Sequence, residues 1–182
     1  MIETERLILR PWQESDASAL YKYAKDPKVG PIAGWSPHTS VENSREIIRT
    51  VFNAPHIYAV VLKETGEPIG CCGIMIYNSR QSTSKKISEG EIGYWIGKPY
   101  WGEGLIPEAV RALLFHSFNV LHLDVVWCGF YDGNNQSKRV CEKCGLYYHH
   151  TNYNVTSPLG DLRTEHFFRI TKADFNYYHE GV

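Results

Sequence analysis

Glu91-Ile-Gly-Tyr-Trp-Ile96, followed at once by Gly97-Lys-Pro-Tyr-Trp101-Gly102-Glu103-Gly104-Leu105-Ile106-Pro107-Glu108, decides the fold. The first six residues have the β-branched and aromatic content of a strand. Residues 99–104 form a glycine-bearing turn. Pro107 then falls in the first turn of a helix, with Glu108 near its positive end, and Val110, Leu113, Leu114, Phe118 and Leu121 share one face. A strand, a glycine turn and a helix start make an anion site, because the first N–H groups of a helix are unpaired and its dipole favours negative charge. Gly102 and Gly104 let a backbone approach a phosphate closely. The turn lacks the third glycine of the dinucleotide fingerprint, since position 107 is Pro, and it has no Gly-Lys-Ser/Thr of a triphosphate-binding loop.

Upstream, Thr4–Pro11 reads as a first strand ending at its proline. Ser15 or Asp16 caps a helix whose apolar face is Ala17, Leu20, Tyr21 and Ala24, ending before Pro27. Residues 27–39 are a loop with three prolines and two glycines. Thr39 and Glu42 form a capping-box pattern for a second helix, with Ser44, Ile47, Ile48 and Val51 on one face. Ile57–Lys63 and Pro68–Tyr77 read as a hairpin around Glu64-Thr-Gly-Glu67, and the polar stretch 78–88 reads as a loop. Downstream, Val125–Tyr131 is a strand, and Asp132-Gly-Asn-Asn135 is a turn into a helix ending near Gly145. Residues 146–170 form two strands around Ser157-Pro-Leu-Gly160. The expected order is strand, two helices, three strands, helix, strand, helix, two strands. That is a mixed α/β sheet with helices packed on it, and one domain over 1–182.

Composition limits the function. The chain has 182 residues, 19 Lys and Arg against 20 Asp and Glu, and a formal net charge of −1. No phosphate-tracking surface is expected from that balance, so no nucleic-acid partner is. Charges at Glu3, Glu5 and Arg6 interrupt any export signal, and the aliphatic run around Ala59–Leu62 is far too short to span a bilayer. A cytoplasmic chain without membrane attachment, its five cysteines reduced, is the expectation. Cys71 and Cys72 are neighbours in a strand and face opposite sides. Cys141-x-x-Cys144, with His149 and His150 nearby, raises a zinc cluster as one reading. Burial of the two cysteines as small apolar side chains is the stronger one, because no second Cys pair follows.

The motifs then combine. Thr4-Glu-Arg-Leu-Ile-Leu-Arg10, Glu91-Ile-Gly-Tyr94 leading to Trp101-Gly-Glu-Gly104 and Glu108-Ala109, and Asn134-Asn-Gln-Ser137 followed by Glu142-Lys-Cys-Gly-Leu146 stand in order along the chain. Together they resemble the GNAT superfamily of N-acetyltransferases, and within it the RimJ/RimL-like branch, over nearly the whole length. The resemblance implies a central, mostly antiparallel seven-stranded sheet splayed between its fourth and fifth strands, with helices on both faces. It implies acetyl-CoA as cosubstrate and no metal. The pantetheine arm would lie along Tyr94, Trp95 and Ile96, where a backbone N–H would hold the thioester oxygen. The pyrophosphate would sit on Trp101, Gly102, Glu103, Gly104, Leu105 and Ile106. Asn134 and Ser137 would flank the pantetheine.

For chemistry the resemblance implies direct attack of an amine on the thioester, with a base for the ammonium proton. Glu91 is the motif-matched carboxylate, and Glu89 and His149 are rivals. Cys141 stands where many members carry a tyrosine acid, which leaves the Ser137 hydroxyl or water to protonate the leaving thiolate. Strand alternation puts one of His149 and His150 inward and the other outward. The acceptor would be walled by residues 29–40 and 149–164, with Trp35, His38 and Tyr153 as contacts. The branch points to a protein N-terminal α-amine, and small-molecule amines are a second class. A catalytically silent acetyl-CoA sensor and a zinc-binding interaction protein are the alternatives, and monomer and homodimer both remain open.

Overall fold

A computed structural model describes residues 1–77 and 87–180. The strands are β1 (Ile2–Glu3), β2 (Leu7–Pro11), β3 (Ile57–Leu62), β4 (Pro68–Tyr77), β5 (Glu89–Ile96), β6 (Val125–Tyr131), β7 (Tyr147–Thr156) and β8 (Leu162–Thr171). The helices are α1 (Ala17–Ala24), α2 (Val41–Thr50), α3 (Leu105–Asn119), α4 (Asn135–Lys143) and α5 (Lys172–Glu180). All eight strands form one sheet in the order β1-β2-β3-β4-β5-β6-β8-β7. Each neighbouring pair is antiparallel except β5 and β6.

Three expectations are corrected. The sheet has eight strands rather than seven, because Ile2 and Glu3 fold back to pair with Leu9 and Ile8. Thr4 makes that turn: its hydroxyl accepts from Leu7 N, and its own N–H donates to Leu7 O. The α2 cap is Ser40, one residue later than the Thr39 pattern, with its hydroxyl accepting from Asn43 N at 3.0 Å. A fifth helix follows β8, where Asp174 accepts from the Thr171 hydroxyl and N–H. The loop expected over 78–88 lies, as far as residue 86, outside the described residues.

Why helices cover both faces is visible in β3. Tyr58 and Val60 join the core beneath α3, whereas Ala59 and Val61 join the one beneath α1 and α2. A strand buried on both faces reads as a continuous apolar run, as Ile57–Leu62 does. Cys72 and Cys71 divide the same way. The larger core holds Leu7, Leu9, Ile74, Ile92, Leu113 and Phe118. The smaller holds Trp12, Leu20, Ile48 and Ala59.

Two polar ties set the helices on the sheet. Asp16 is the N-cap residue of α1, as expected, and its side chain, rather than bonding the helix, accepts two bonds from the Arg10 guanidinium at 2.7 and 2.8 Å and one from Gln13 N. Glu108, in the first turn of α3, accepts from the Thr4 hydroxyl, Arg6 N and Arg6 Nε at 2.6–2.8 Å. Arg6 also donates to Glu103 O, so the β1–β2 turn buttresses the turn before α3.

Candidate active site

The sheet opens where its one parallel pair fails. β5 pairs with β6 only through Glu89, Gly90 and Glu91, opposite Val125, Val126 and Trp127. β5 continues to Ile96 on β4, while β6 continues to Tyr131 on β8. Past Glu91 the two strands therefore part. Tyr94 bridges the gap from β5 to α4, its hydroxyl donating to Ser137 O at 3.2 Å.

Two cavities meet at this gap. The first, of about 310 Å³, runs from Tyr94–Ile96 past the turn to α4. Gly102 and Gly104 adopt φ of +84° and +76°, the left-handed region glycine tolerates. Their geometry leaves the N–H groups of residues 102–106 without a hydrogen-bond partner among the described residues, all at the N-terminus of a fifteen-residue helix. Trp101 fixes the turn by donating its indole N–H to Ile96 O at 3.0 Å. Across the cavity, Gln136, Arg139, Val140 and Lys143 present one face of α4. Arg139 and Lys143 line this cavity, and among the described residues no carboxylate does. Open N–H groups, a helix dipole and two cations make a site for a long polyanion.

The second cavity, of about 480 Å³, lies on the α1–α2 side of the sheet. It shares Ala33, Tyr94, Trp95, Asn134 and Ser137 with the first. The carboxylates of Glu91 on β5 and Glu165 on β8 converge over Gly129 on β6: a methyl there would lie 3.1 and 3.2 Å from their oxygens. Tyr77 donates its hydroxyl to Glu91 at 2.5 Å. Burial, then the Glu91 charge, holds the Glu165 carboxyl above the ordinary range. Burial and the Glu91 carboxylate likewise push the Tyr77 phenol up. Trp35 packs edge-on against Trp95 at 5.7 Å and closes one wall. Arg163 donates to Pro31 O at 2.8 Å, tying loop 27–39 to the β7–β8 hairpin.

Each residue singled out in the sequence has a definite place. Tyr94, Trp95, Ile96, Trp101, Gly102, Gly104, Leu105, Ile106, Asn134 and Ser137 all line the first cavity. Glu103 does not; its contact is the carbonyl held by Arg6. Glu91, Ser137 and Trp35 line the second. Three others lie elsewhere. His38 is 8% exposed, bonds Ser44 Oγ through Nδ1 at 2.8 Å, and lines neither cavity. Tyr153 is 74% exposed on the hairpin and lines neither. His149 packs edge-on against Trp127 and contacts His150 Nδ1 at 2.8 Å, away from both cavities. The register of β7 shifts between Tyr148 and His150, so strict alternation fails and both imidazoles meet Trp127.

Cys141 and Cys144 sit in the larger core, with Cys144 Sγ against Pro107 O and Cys141 Sγ 3.8 Å from the Tyr94 hydroxyl. No cluster of three or more metal-ligating side chains occurs among the described residues. All five cysteines are free and buried. Among the described residues, no helix is long and apolar enough to cross a membrane. Sequence reasoning missed Glu165 and the cationic face of α4. That face had a signal: Gln136, Arg139, Val140 and Lys143 are spaced i, i+3, i+4, i+7. Glu165 had none, since only the pairing of β6 with both β5 and β8 brings it to Glu91 over Gly129.

Known proteins carry the same architecture. The family described as acetyltransferase (GNAT) domain matches residues 6–147. A Bacillus licheniformis protein, named as the uncharacterized N-acetyltransferase p20, is 32% identical over 126 residues, 66% of this chain and 67% of its own. A GNAT-family acetyltransferase structure from Bacillus anthracis superposes with a TM-score of 0.82 at 22% identity, covering 94% of this chain and 98% of that one. A ribosomal-protein-S5-alanine acetyltransferase from Vibrio fischeri superposes at 0.71 with 19% identity, over 95% and 97% of the two chains.

Proposed function

The chain belongs to the GNAT acetyltransferase family, whose members are acetyl-CoA-dependent N-acetyltransferases, and from that premise we propose that it acetylates a primary amine held in the second cavity by direct attack across the splay. The observation that carries the reading is the division of charge. Among the described residues, the cavity with open N–H groups, Arg139 and Lys143 has no carboxylate, and the adjoining cavity has Glu91 and Glu165 and no cation. An anionic cofactor and a cationic amine are thus drawn to opposite sides of one gap.

Acetyl-CoA supplies an activated acetyl thioester. The turn from Trp101 to Ile106 holds its pyrophosphate through backbone N–H groups, with Arg139 and Lys143 alongside. Unpaired β5 backbone past Glu91 orients the arm toward Ser137 and Asn134. Asn134 is fixed for this by capping α4, its side-chain oxygen accepting from Ser137 N at 3.1 Å.

On the other side, Glu91 and Glu165 bind the incoming ammonium and take its proton. Burial and the nearby Glu91 hold the Glu165 carboxyl above the ordinary range, which suits it to take that proton. Tyr77 holds Glu91 in place. The amine nitrogen then forms the new C–N bond as the C–S bond breaks, and the thiolate takes a proton from the Ser137 hydroxyl or from water. Tyr94 is a strut rather than an acid, because its hydroxyl is committed to Ser137 O and burial pushes its pKa well up.

The test is release of free CoA thiol from acetyl-CoA with a panel of amines. The expected result is amine-dependent release. No release with any amine, alongside measurable acetyl-CoA binding, would support the silent sensor instead.

A further inference from the structure

Shape and lining of the second cavity restrict the amine further. Away from the two glutamates and from the Asn134 and Ser137 edge shared with the first cavity, the wall is largely apolar: Trp35, Phe52, Ile57, Met75 and Trp95 line it, with Gly93 as floor between Glu91 and Trp95. A side chain at Gly93 would meet nothing within 4 Å, so its absence leaves room above β5. No Lys, Arg or His lines the cavity among the described residues. Arg163, whose guanidinium lies 4.9 Å from the ring of Tyr131 on the cavity wall, is already engaged by Asp161 and Pro31 O. A buried carboxylate without a partner is strongly disfavoured, and beside two glutamates it is repelled as well.

We infer that the acceptor is a primary amine on an apolar body of aromatic size, with no carboxylate next to the nitrogen. The proposal rests on the acetylation reading and narrows its substrate. Two sources share this chemistry: an arylalkylamine, and a peptide whose N-terminal residue is large and apolar, where an amide replaces the carboxylate. A free amino acid puts its carboxylate among the glutamates, and a hydrophilic diamine leaves the apolar walls unfilled and buries a second charge without a partner.

The experiment compares four acceptors at fixed acetyl-CoA: 2-phenylethylamine, a Phe-Ala-Ala peptide amide, free phenylalanine and putrescine. Tryptophan fluorescence, reporting on Trp35 and Trp95, measures their binding separately from turnover. Phenylethylamine or the peptide amide is expected to exceed phenylalanine and putrescine by at least about a hundredfold in kcat/KM. The better of the first two identifies the source. Gly93→Leu, which fills the floor, is expected to abolish the preferred acceptor's binding while leaving acetyl-CoA affinity within about twofold. Equal use of phenylalanine or putrescine overturns the inference and leaves amine acetylation standing. If no acceptor turns over, the acetylation reading falls, and tighter binding of phenylethylamine than of phenylalanine still decides the pocket's preference.

Discussion

Gly129 is the residue on which the proposed chemistry depends most closely. Its lack of a side chain lets Glu91 and Glu165 approach from the strands on either side, and a methyl would also stand 3.0 Å from the Phe167 ring. Gly129→Ala should push the carboxylates apart and lower kcat/KM for the amine while leaving the KM for acetyl-CoA unchanged; steady-state kinetics check this. The Glu165 carboxyl is raised by burial and by Glu91. A base works deprotonated, so the rate climbs as pH rises through its pKa. The acid limb of the kcat/KM profile should therefore lie above the ordinary glutamate value of about 4.3. In Glu91→Gln, with one raising influence removed, that limb should move to lower pH. A limb unmoved in the variant would remove Glu165 from the base role. Gly104 matters through its backbone alone. A methyl there would meet Arg6 at an ordinary 3.8 Å, but φ is +76°. Gly104→Ala should cost about 1–2 kcal/mol of strain, and Gly104→Pro should weaken acetyl-CoA binding outright, as calorimetry would show.

At the scale of elements, α4 and the β1–β2 turn carry separate loads. Arg139 and Lys143 share the α4 face toward the first cavity. Replacing both with alanine should raise the KM for acetyl-CoA several-fold at low salt, and the difference should shrink toward 1 M salt, where screening shortens to roughly 3 Å. Salt-independent loss would point to damage in the helix instead. Glu108 joins the β1–β2 turn to α3 through three donated bonds. Burial alone would raise its carboxyl; the Thr4 and Arg6 bonds outweigh that and hold it low. Its folded value lies below the unfolded one, so its stabilisation is complete above the unfolded pKa and is lost as pH falls through the folded one. Glu108→Gln should lower stability by about 1–2 kcal/mol at pH 7, with the gap closing as pH falls through the lowered Glu108 pKa in denaturant titrations.

Element order was legible where periodicity and turn chemistry agree. The α3 face, the β3–β4 hairpin and the glycine turn all follow from local patterns. β1 escaped because two residues carry no period, and α5 because Lys172–Glu180 mixes polar and aromatic residues without a sharp apolar face. The histidines of β7 escaped because a bulge breaks the alternation on which their placement relied.

For the molecule as a whole, the backbone half of the site was readable and the side-chain half was not. The turn, the splayed strand and the Asn134 cap lie within short continuous segments whose residue types announce their conformation. The carboxylate pair is assembled from β5 and β8, 74 positions apart in numbering, and only sheet order brings Glu91 and Glu165 together. His38 and Tyr153 looked like acceptor contacts because their loops wall the gap, yet one is turned into the smaller helical layer and the other outward. A net charge of −1 concealed a strong local separation of charge, cations on one side of the gap and carboxylates on the other. That separation is the central claim. Its most direct measurement is the rate of CoA thiol release, with an accepted amine, by the Glu91→Gln/Glu165→Gln double variant. A loss of at least about a hundredfold in kcat/KM is expected, with acetyl-CoA affinity unchanged; a double variant that turns over within about twofold of the parent would contradict the role given to the two carboxylates.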